Sequence, residues 1–274
     1  MRMYQVDAFT DRLFGGNPAA ILILDDWLPD ALMQSIAQEN NLAETAFAVR
    51  RDDHWALRWF TPTEEVAFCG HATLATAHIL VTEYGAIEVM KFDTQVGCLT
   101  VSPKDGGYCL DIPSFSPEPL AEVPVELGGV FEEAPVGLFR NFENIFAVLV
   151  DQAQVTSFKP DLLRIARLGP MGLVITARGE DTDFVSRYFA PGAGIPEDPV
   201  TGSTHATLVP YWAKVLGKSE LTAFQASARG GQLRCVLAAD RVELFGQART
   251  FMSANLRLDP ILQSAEGLMK GDRP

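Results

Sequence analysis

Met3 to Phe9 alternates apolar and polar side chains, the period-two pattern of a strand with one buried face, and the Gly15-Gly16-Asn17-Pro18 turn separates it from a second apolar strand at Ala20 to Leu24. From Pro29 the period changes. Leu28, Leu32, Met33, Ile36 and Ala37 recur at helical spacing until Asn40-Asn41 stops them, and Glu44 to Val49 resumes as a strand with Glu44 at its start. Leu74, Ala77, Leu80, Val81 and Tyr84 predict a helix from Gly70 to Gly85, apolar nearly all round and therefore buried. Strands follow at Ile87 to Phe92, Gly97 to Ser102 and Tyr108 to Ile112, the last two joined by the Asp105-Gly106-Gly107 turn.

Pro113, Pro117, Pro119 and Pro124 then make an extended connector, which divides the chain into a lobe over 1–113, a connector over 114–124 and a lobe over 125–274. The second lobe predicts strands near Ile145 to Val150 and Leu173 to Thr176, and helices near Pro160 to Leu168 and after Gly202. Pro210 is expected to kink that last helix, because it lacks an amide donor and crowds the carbonyl four residues earlier. Val236 to Ala238 and Val242 to Phe245 close the lobe as strands. The tail after Asn255 reads as part helix and part frayed end, with packing back onto the first lobe left open.

Within this pattern lies a repeat. Arg58-Trp59-Phe60-Thr61-Pro62 with Gly70-His71-Ala72-Thr73 returns as Arg187-Tyr188-Phe189-Ala190-Pro191 with Gly202-Ser203-Thr204, each a strand, a loop and a helix start. The second loop is three residues longer, and Glu197, Asp198 and Pro199 are assigned to the extra length. His205-Ala206-Thr207-Leu208 repeats His71-Ala72-Thr73-Leu74 letter for letter, but two residues out of step, and is read as coincidence.

Composition narrows the function. A formal charge of −13, from 22 basic and 35 acidic residues, argues against nucleic acid or an anionic membrane as partner. The most apolar uncharged run, Val66 to Thr82, contains His71, His78 and three threonines, so no membrane span is expected. The first eleven residues already carry acids and no secretory core is visible, so the expected location is the cytosol. Cys69, Cys98, Cys109 and Cys235 show no paired spacing and read as reduced thiols.

Glu44 stands among Leu42, Ala43, Ala46 and Phe47. Buried there, a carboxylate holds its proton more readily and suits proton transfer near neutrality; a solvated carboxylate at a loop edge fits the position as well. Gly70-His71 and Gly202-Ser203 each offer helix-start amides to a carboxylate or enolate, although most helix starts bind nothing. Asp198 either holds a substrate ammonium or complements the dipole of the following helix. His71 is a proton donor, an orienting group or a satisfied core histidine. With His78 two turns on and Cys69 nearby, a metal site comes into view, but no further ligand completes a tetrahedral set, so none is expected. A two-thiol mechanism is not expected unless Cys235 folds in from elsewhere, because the repeat partner of Cys69 is Thr201, and Cys69 alone reads as a small core residue. Gly217-Lys218-Ser219 and Gly192-Ala193-Gly194 each lack a glycine needed for a nucleotide loop, so neither is read as one.

Taken in order, Asp7-Ala8-Phe9-Thr10, Gly16-Asn17-Pro18-Ala19, Asn41-Leu42-Ala43-Glu44-Thr45, Phe60-Thr61-Pro62, Cys69-Gly70-His71-Ala72-Thr73 and Glu197-Asp198-Pro199-Val200-Thr201-Gly202-Ser203 resemble the phenazine-biosynthesis (PhzF-like) proteins over most of the chain. The resemblance implies an α+β, diaminopimelate-epimerase-like fold of two pseudo-symmetric lobes, each a curled sheet around a central helix, commonly as a homodimer with the site in the cleft. It also implies cofactor-free isomerase chemistry on a small carboxylate-bearing substrate. Glu44 matches the family's proton-moving glutamate, and His71, Asp198 and Ser203 match its supporting residues, with Gly70, Gly202, Thr201 and Asn17 expected at the substrate. An amino-acid epimerase and a binding protein without turnover remain open.

Overall fold

The computed structural model describes residues 1–258 and divides by contact into two units. One comprises 1–14, 18–110 and 247–258; the other comprises 15–17 and 111–246. In chain order the elements of the first part are β1 (Arg2–Ala8), β2 (Asn17–Leu24), α1 (Asp30–Asn40), β3 (Glu44–Arg51), β4 (His54–Phe60), β5 (Glu65–Val66), α2 (Gly70–Tyr84), β6 (Met90–Thr94), β7 (Gly97–Lys104) and β8 (Gly107–Pro113). There follow β9 (Glu118–Pro119), β10 (Gly137–Arg140), β11 (Asn144–Val148), α3 (Gln152–Ser157), α4 (Leu162–Ile165), β12 (Gly172–Arg178), β13 (Phe184–Ala190), β14 (Ile195–Asp198), α5 (Gly202–Leu216), β15 (Glu220–Gln225), β16 (Gly231–Ala238), β17 (Arg241–Gly246) and β18 (Ala248–Asn255).

Each unit repeats one strand-pairing scheme. In the first, β2 and β3 are parallel, β3 and β4 antiparallel, β4 and β6 parallel, and β6 and β7 antiparallel, with short β5 folded back on β4. In the second, β11 and β12 are parallel, β12 and β13 antiparallel, β13 and β15 parallel, and β15 and β16 antiparallel, with β14 folded back on β13. The duplication visible in two short motifs therefore extends to a whole mixed sheet and its helix. α2 packs against β1, β3, β7 and β18, and every residue from Gly70 to Leu80 is buried. α5 packs in the same way against β15, β16 and β17. These are the two lobes of the expected α+β fold, each built around a central helix.

A second layer covers the outer face of each sheet. Leu32, Met33, Ile36 and Ala37 of α1 pack with Ala20, Leu22, Phe47, Val49 and Phe60, and Val155 of α3 and Ile165 of α4 pack with Leu173, Ile175, Ala177, Val185 and Phe189. Because strand side chains alternate, Phe47 and Val49 facing α1 turn Glu44, Ala46 and Ala48 toward α2. In β12 the same alternation turns Gly172, Val174 and Thr176 toward α5, where Trp212 donates its indole N–H to Thr176 Oγ1 at 3.0 Å.

Several boundaries differ from the sequence reading. The Pro-rich stretch 114–124 lies inside the second unit, and β18 belongs to the first because it pairs along its length with β1. The remainder of the tail, from residue 259, lies outside the described residues. α5 continues through Pro210 to Leu216. Pro210 cannot donate to the Ala206 carbonyl, and the Phe115 N–H takes that acceptor instead at 2.8 Å, so the proline leaves no orphan.

The corner of each repeat is closed by the same charge pair. Arg58 donates through Nε and Nη2 to the two carboxylate oxygens of Glu65 at 2.7 and 2.6 Å, and Arg187 does so to Glu197 at 2.7 and 3.1 Å. Each guanidinium lies over the phenylalanine two residues on, 5.2 Å from the Phe60 ring centroid and 5.0 Å from that of Phe189. Glu197 is thus the counterpart of Glu65 and does not belong to the extra length. The added residues are absorbed instead by a single 3-10 turn at Pro191–Ala193, closed by Gly194 at φ +82°.

Candidate active site

In the first unit, β3 and the start of α2 bring Glu44, Cys69, Gly70 and His71 together. Glu44 and His71 are both at least nine-tenths buried, and Glu44 Oε2 lies 3.0 Å from His71 Nε2. The other ring nitrogen, Nδ1, lies 3.5 Å from Cys69 Sγ, so the imidazole is gripped from both edges. Glu44 and His71 are thereby held as a close ion pair.

Burial by itself lowers the pKa of His71, yet its neighbours Cys69 and Glu44 outweigh burial and hold it well above 6.5. Burial pushes the Cys69 thiol up to about 11. A neutral thiol carries no charge, so the charge that sustains the imidazolium is that of Glu44. The solvated-carboxylate alternative for Glu44 does not hold. His78 is drawn away from this group, with Nδ1 2.9 Å from Tyr108 Oη and Nε2 3.0 Å from Thr250 Oγ1.

The second unit assembles the other predicted residues. Asn17 donates through Nδ2 to Asp198 Oδ1 at 2.8 Å and to the Val200 carbonyl at 2.9 Å, and Thr201 Oγ1 donates to Asp198 Oδ2. Asp198 therefore ties the end of β14 to the start of α5, a connecting role that the sequence reading, with its choice of substrate anchor or dipole partner, did not include. Neither Cys69 nor Thr201 caps its helix with its own side chain. Gly202 is buried, and Ser203, in the first turn of α5, is partly exposed.

Gln225, at the end of β15, escaped the sequence reading. It is fully buried; its Nε2 donates to the Asp198 carbonyl at 2.9 Å and to Thr201 Oγ1 at 3.1 Å, while its Oε1 accepts from the Thr201 amide at 2.8 Å. A lone glutamine in a short strand carries no periodic or motif signal, so only the fold reveals it. Gln225→Leu strands the Thr201 N–H and the Asp198 carbonyl, and is expected to lower unfolding stability by about 2–4 kcal/mol in urea titration.

The two units differ where the proton carrier stands. β12 begins with Gly172 at the place where β3 begins with Glu44. A Cβ on Gly172 would lie 2.2 Å from Tyr188 Cε2 and 2.4 Å from Asn144 Oδ1, so neighbouring strands fill the space of a side chain. Ser203 likewise replaces His71, and Thr201 replaces Cys69. His205 stands where Thr73 does: its Nδ1–H donates to the Thr201 carbonyl at 2.8 Å, as the Thr73 hydroxyl does to that of Cys69 at 2.6 Å.

Among the described residues no helix is long and apolar enough to cross a membrane. Residues 6–254 match the family model described as phenazine biosynthesis-like protein, PhzC-PhzF. The chain is 46% identical to an uncharacterized isomerase of Pseudomonas aeruginosa, covering 94% of this chain and 99% of that protein. It is 41% identical to an uncharacterized isomerase of Halalkalibacterium halodurans, covering 93% and 98%. The crystal structure of a PhzF-family phenazine biosynthesis protein from Enterococcus faecalis superposes with a TM-score of 0.89 at 43% identity, over 94% of this chain and 99% of that one. The buried glutamate and histidine on duplicated sheet-and-helix units thus stand in a chain that belongs to the phenazine biosynthesis-like (PhzC-PhzF) family and is an enzyme of isomerase type.

Proposed function

We propose that this enzyme moves a proton within a small carboxylate-bearing substrate, without a cofactor, using Glu44 as the acid and base. The observation that carries the reading is the Glu44–His71 pair. A carboxylate held in a dry site beside an imidazolium is oriented and electrostatically poised to accept a proton from carbon and return it. In this scheme Glu44 removes the proton beside the substrate's carboxylate or conjugated system, the electrons delocalise away from the carbon, and Glu44, whose acquired proton exchanges with solvent, delivers a proton at another carbon. His71 steadies Glu44 throughout. Gly70, Gly202, Thr201 and Ser203 are assigned to holding the acidic group, and Asp198, kept in place by Asn17, to a polar substituent. A homodimer working in the cytosol is part of the same proposal.

The asymmetry of the repeat supports one proton carrier over two. Epimerisation by a facing pair of acid–base groups calls for a second such group, and the repeat position of Glu44 is Gly172 while that of Cys69 is Thr201.

The test is solvent exchange. Incubated in heavy water with a panel of small cyclic amino and hydroxy acids, the purified enzyme is expected to wash deuterium into its substrate and to shift a double bond at constant mass otherwise. Ligand-induced thermal stabilisation with no exchange would identify a binding protein, and inversion of a stereocentre with no double-bond shift an epimerase.

A further inference from the structure

Glu44, Cys69 and His71 form a set that acid–base chemistry alone does not use up. Their ligand atoms, a carboxylate oxygen, a sulfur and a ring nitrogen, all lie within 4.8 Å of one another, and all three residues are buried. His71 Nε2 is 4.0 Å from Cys69 Sγ and 3.0 Å from Glu44 Oε2. In a tetrahedral zinc site, bonds of about 2.0–2.3 Å place neighbouring ligand atoms roughly 3.3–3.6 Å apart, so side-chain adjustments of about 1 Å close this set around one ion. Cys69 is the N-cap residue of α2, His71 stands in its first turn and Glu44 is the first residue of β3. Glu44 Oε2 is buried, and its 3.0 Å contact is with His71 Nε2, itself a member of the set.

We infer that Cys69 Sγ, His71 Nε2 and Glu44 Oε2 bind a thiophilic divalent cation of the zinc class, with a fourth position open, and that the bound ion silences the enzyme by occupying the Glu44 lone pair. Binding breaks the Cys69 S–H bond and the Nε2–H bond of the His71 imidazolium, forms a sulfur–metal and a nitrogen–metal bond and releases two protons to solvent; nothing is oxidised or reduced. The silencing half rests on the role proposed for Glu44, whereas the binding half does not.

Cobalt(II) is the probe. Chelator-treated, full-length protein titrated with Co²⁺ is expected to gain a thiolate-to-cobalt charge-transfer band that saturates at one equivalent. Cys69→Ala is expected to lose the band and to bind more than ~100-fold more weakly, beyond the 10–100-fold typical of an outer-sphere partner. Cys98→Ser, which removes the exposed thiol, is expected to leave the band intact. X-ray absorption on the wild-type protein, expected to show one sulfur among nitrogen and oxygen scatterers, keeps the test decisive should Cys69→Ala fail to fold. Absence of the band, its survival in Cys69→Ala or its loss in Cys98→Ser overturns the site. Zn²⁺ is expected to suppress deuterium exchange stoichiometrically, and undiminished exchange at full occupancy overturns the silencing. Exchange that requires added metal would instead overturn the cofactor-free reading and leave the metal site standing.

Discussion

Glu44→Gln is expected to slow substrate proton exchange by about 10²–10⁴-fold, the range that general acid–base catalysis contributes. Glutamine preserves the shape and keeps the first position of β3, so Ala46 and Ala48 remain turned toward α2 and the sheet is undisturbed. What disappears is the basic oxygen. The substitution also removes the negative charge that holds the His71 imidazolium in a buried site, leaving burial to act unopposed. The His71 titration followed by NMR should therefore move to lower pH in the variant. This readout requires no substrate and separates loss of the charge pair from a general loss of structure. Exchange within tenfold of the wild type would remove Glu44 from the chemistry, and an unmoved His71 titration would mean that Glu44 is not what sustains the imidazolium.

Acid is expected to destabilise the protein well before its carboxylates protonate. Burial, reinforced at His78 by nearby Arg249, puts the pKa of His78 at about 4, and burial does the same to His205 despite its bond to the Thr201 carbonyl. Unfolded, both titrate near 6.5, so below that pH the unfolded chain takes up protons that the native protein refuses. Stability then falls as pH drops from about 6.5 toward 4, by roughly 2 kcal/mol per histidine at pH 5. His71 has the opposite sign. Its raised pKa contributes stability that is complete below about 6.5 and is lost as pH rises through the folded value, so it does not offset the acid-side loss. Urea midpoints at pH 7 and pH 5 measure the difference, and a His78→Gln/His205→Asn variant should lose most of it. An unchanged pH dependence in that variant would assign the acid sensitivity elsewhere.

Much of the scaffold was legible because it is written in local rules. The Gly-led starts of α2 and α5 and the glycine stop of α2 were readable from backbone freedom, Gly85 lying at positive φ, whereas the stop of α5 at Gly217, also at positive φ, was not read. The strand at Glu44 followed from a bounded apolar run, and the site motif around it was visible because its residues are close in sequence. Long-range polar bonds were not. Asn17 meets Asp198 across 181 positions, and Gln225 bonds a loop with which it shares no motif. The run at Ile87 misled because an apolar residue need not be buried: Ile87 is 85% exposed, and the strand begins only at Met90. The helix expected over Pro160 to Leu168 is shorter, one α-turn at Leu162–Ile165 passing into a 3-10 turn at Ala166–Leu168.

The filled space at Gly172 bears on what this lineage can become. Installing a second carboxylate at that position is blocked at the first carbon of the side chain, since Tyr188 and Asn144 already stand there. A single substitution does not make the two halves alike; the side chains of Tyr188 and Asn144 would have to move or shrink before Gly172 could grow, and shrinking them first would leave a void in the sheet. The asymmetry between the two halves is thus fixed by packing as well as by sequence: the second sheet fills, with the side chains of its neighbouring strands, the place that a carboxylate takes in the first.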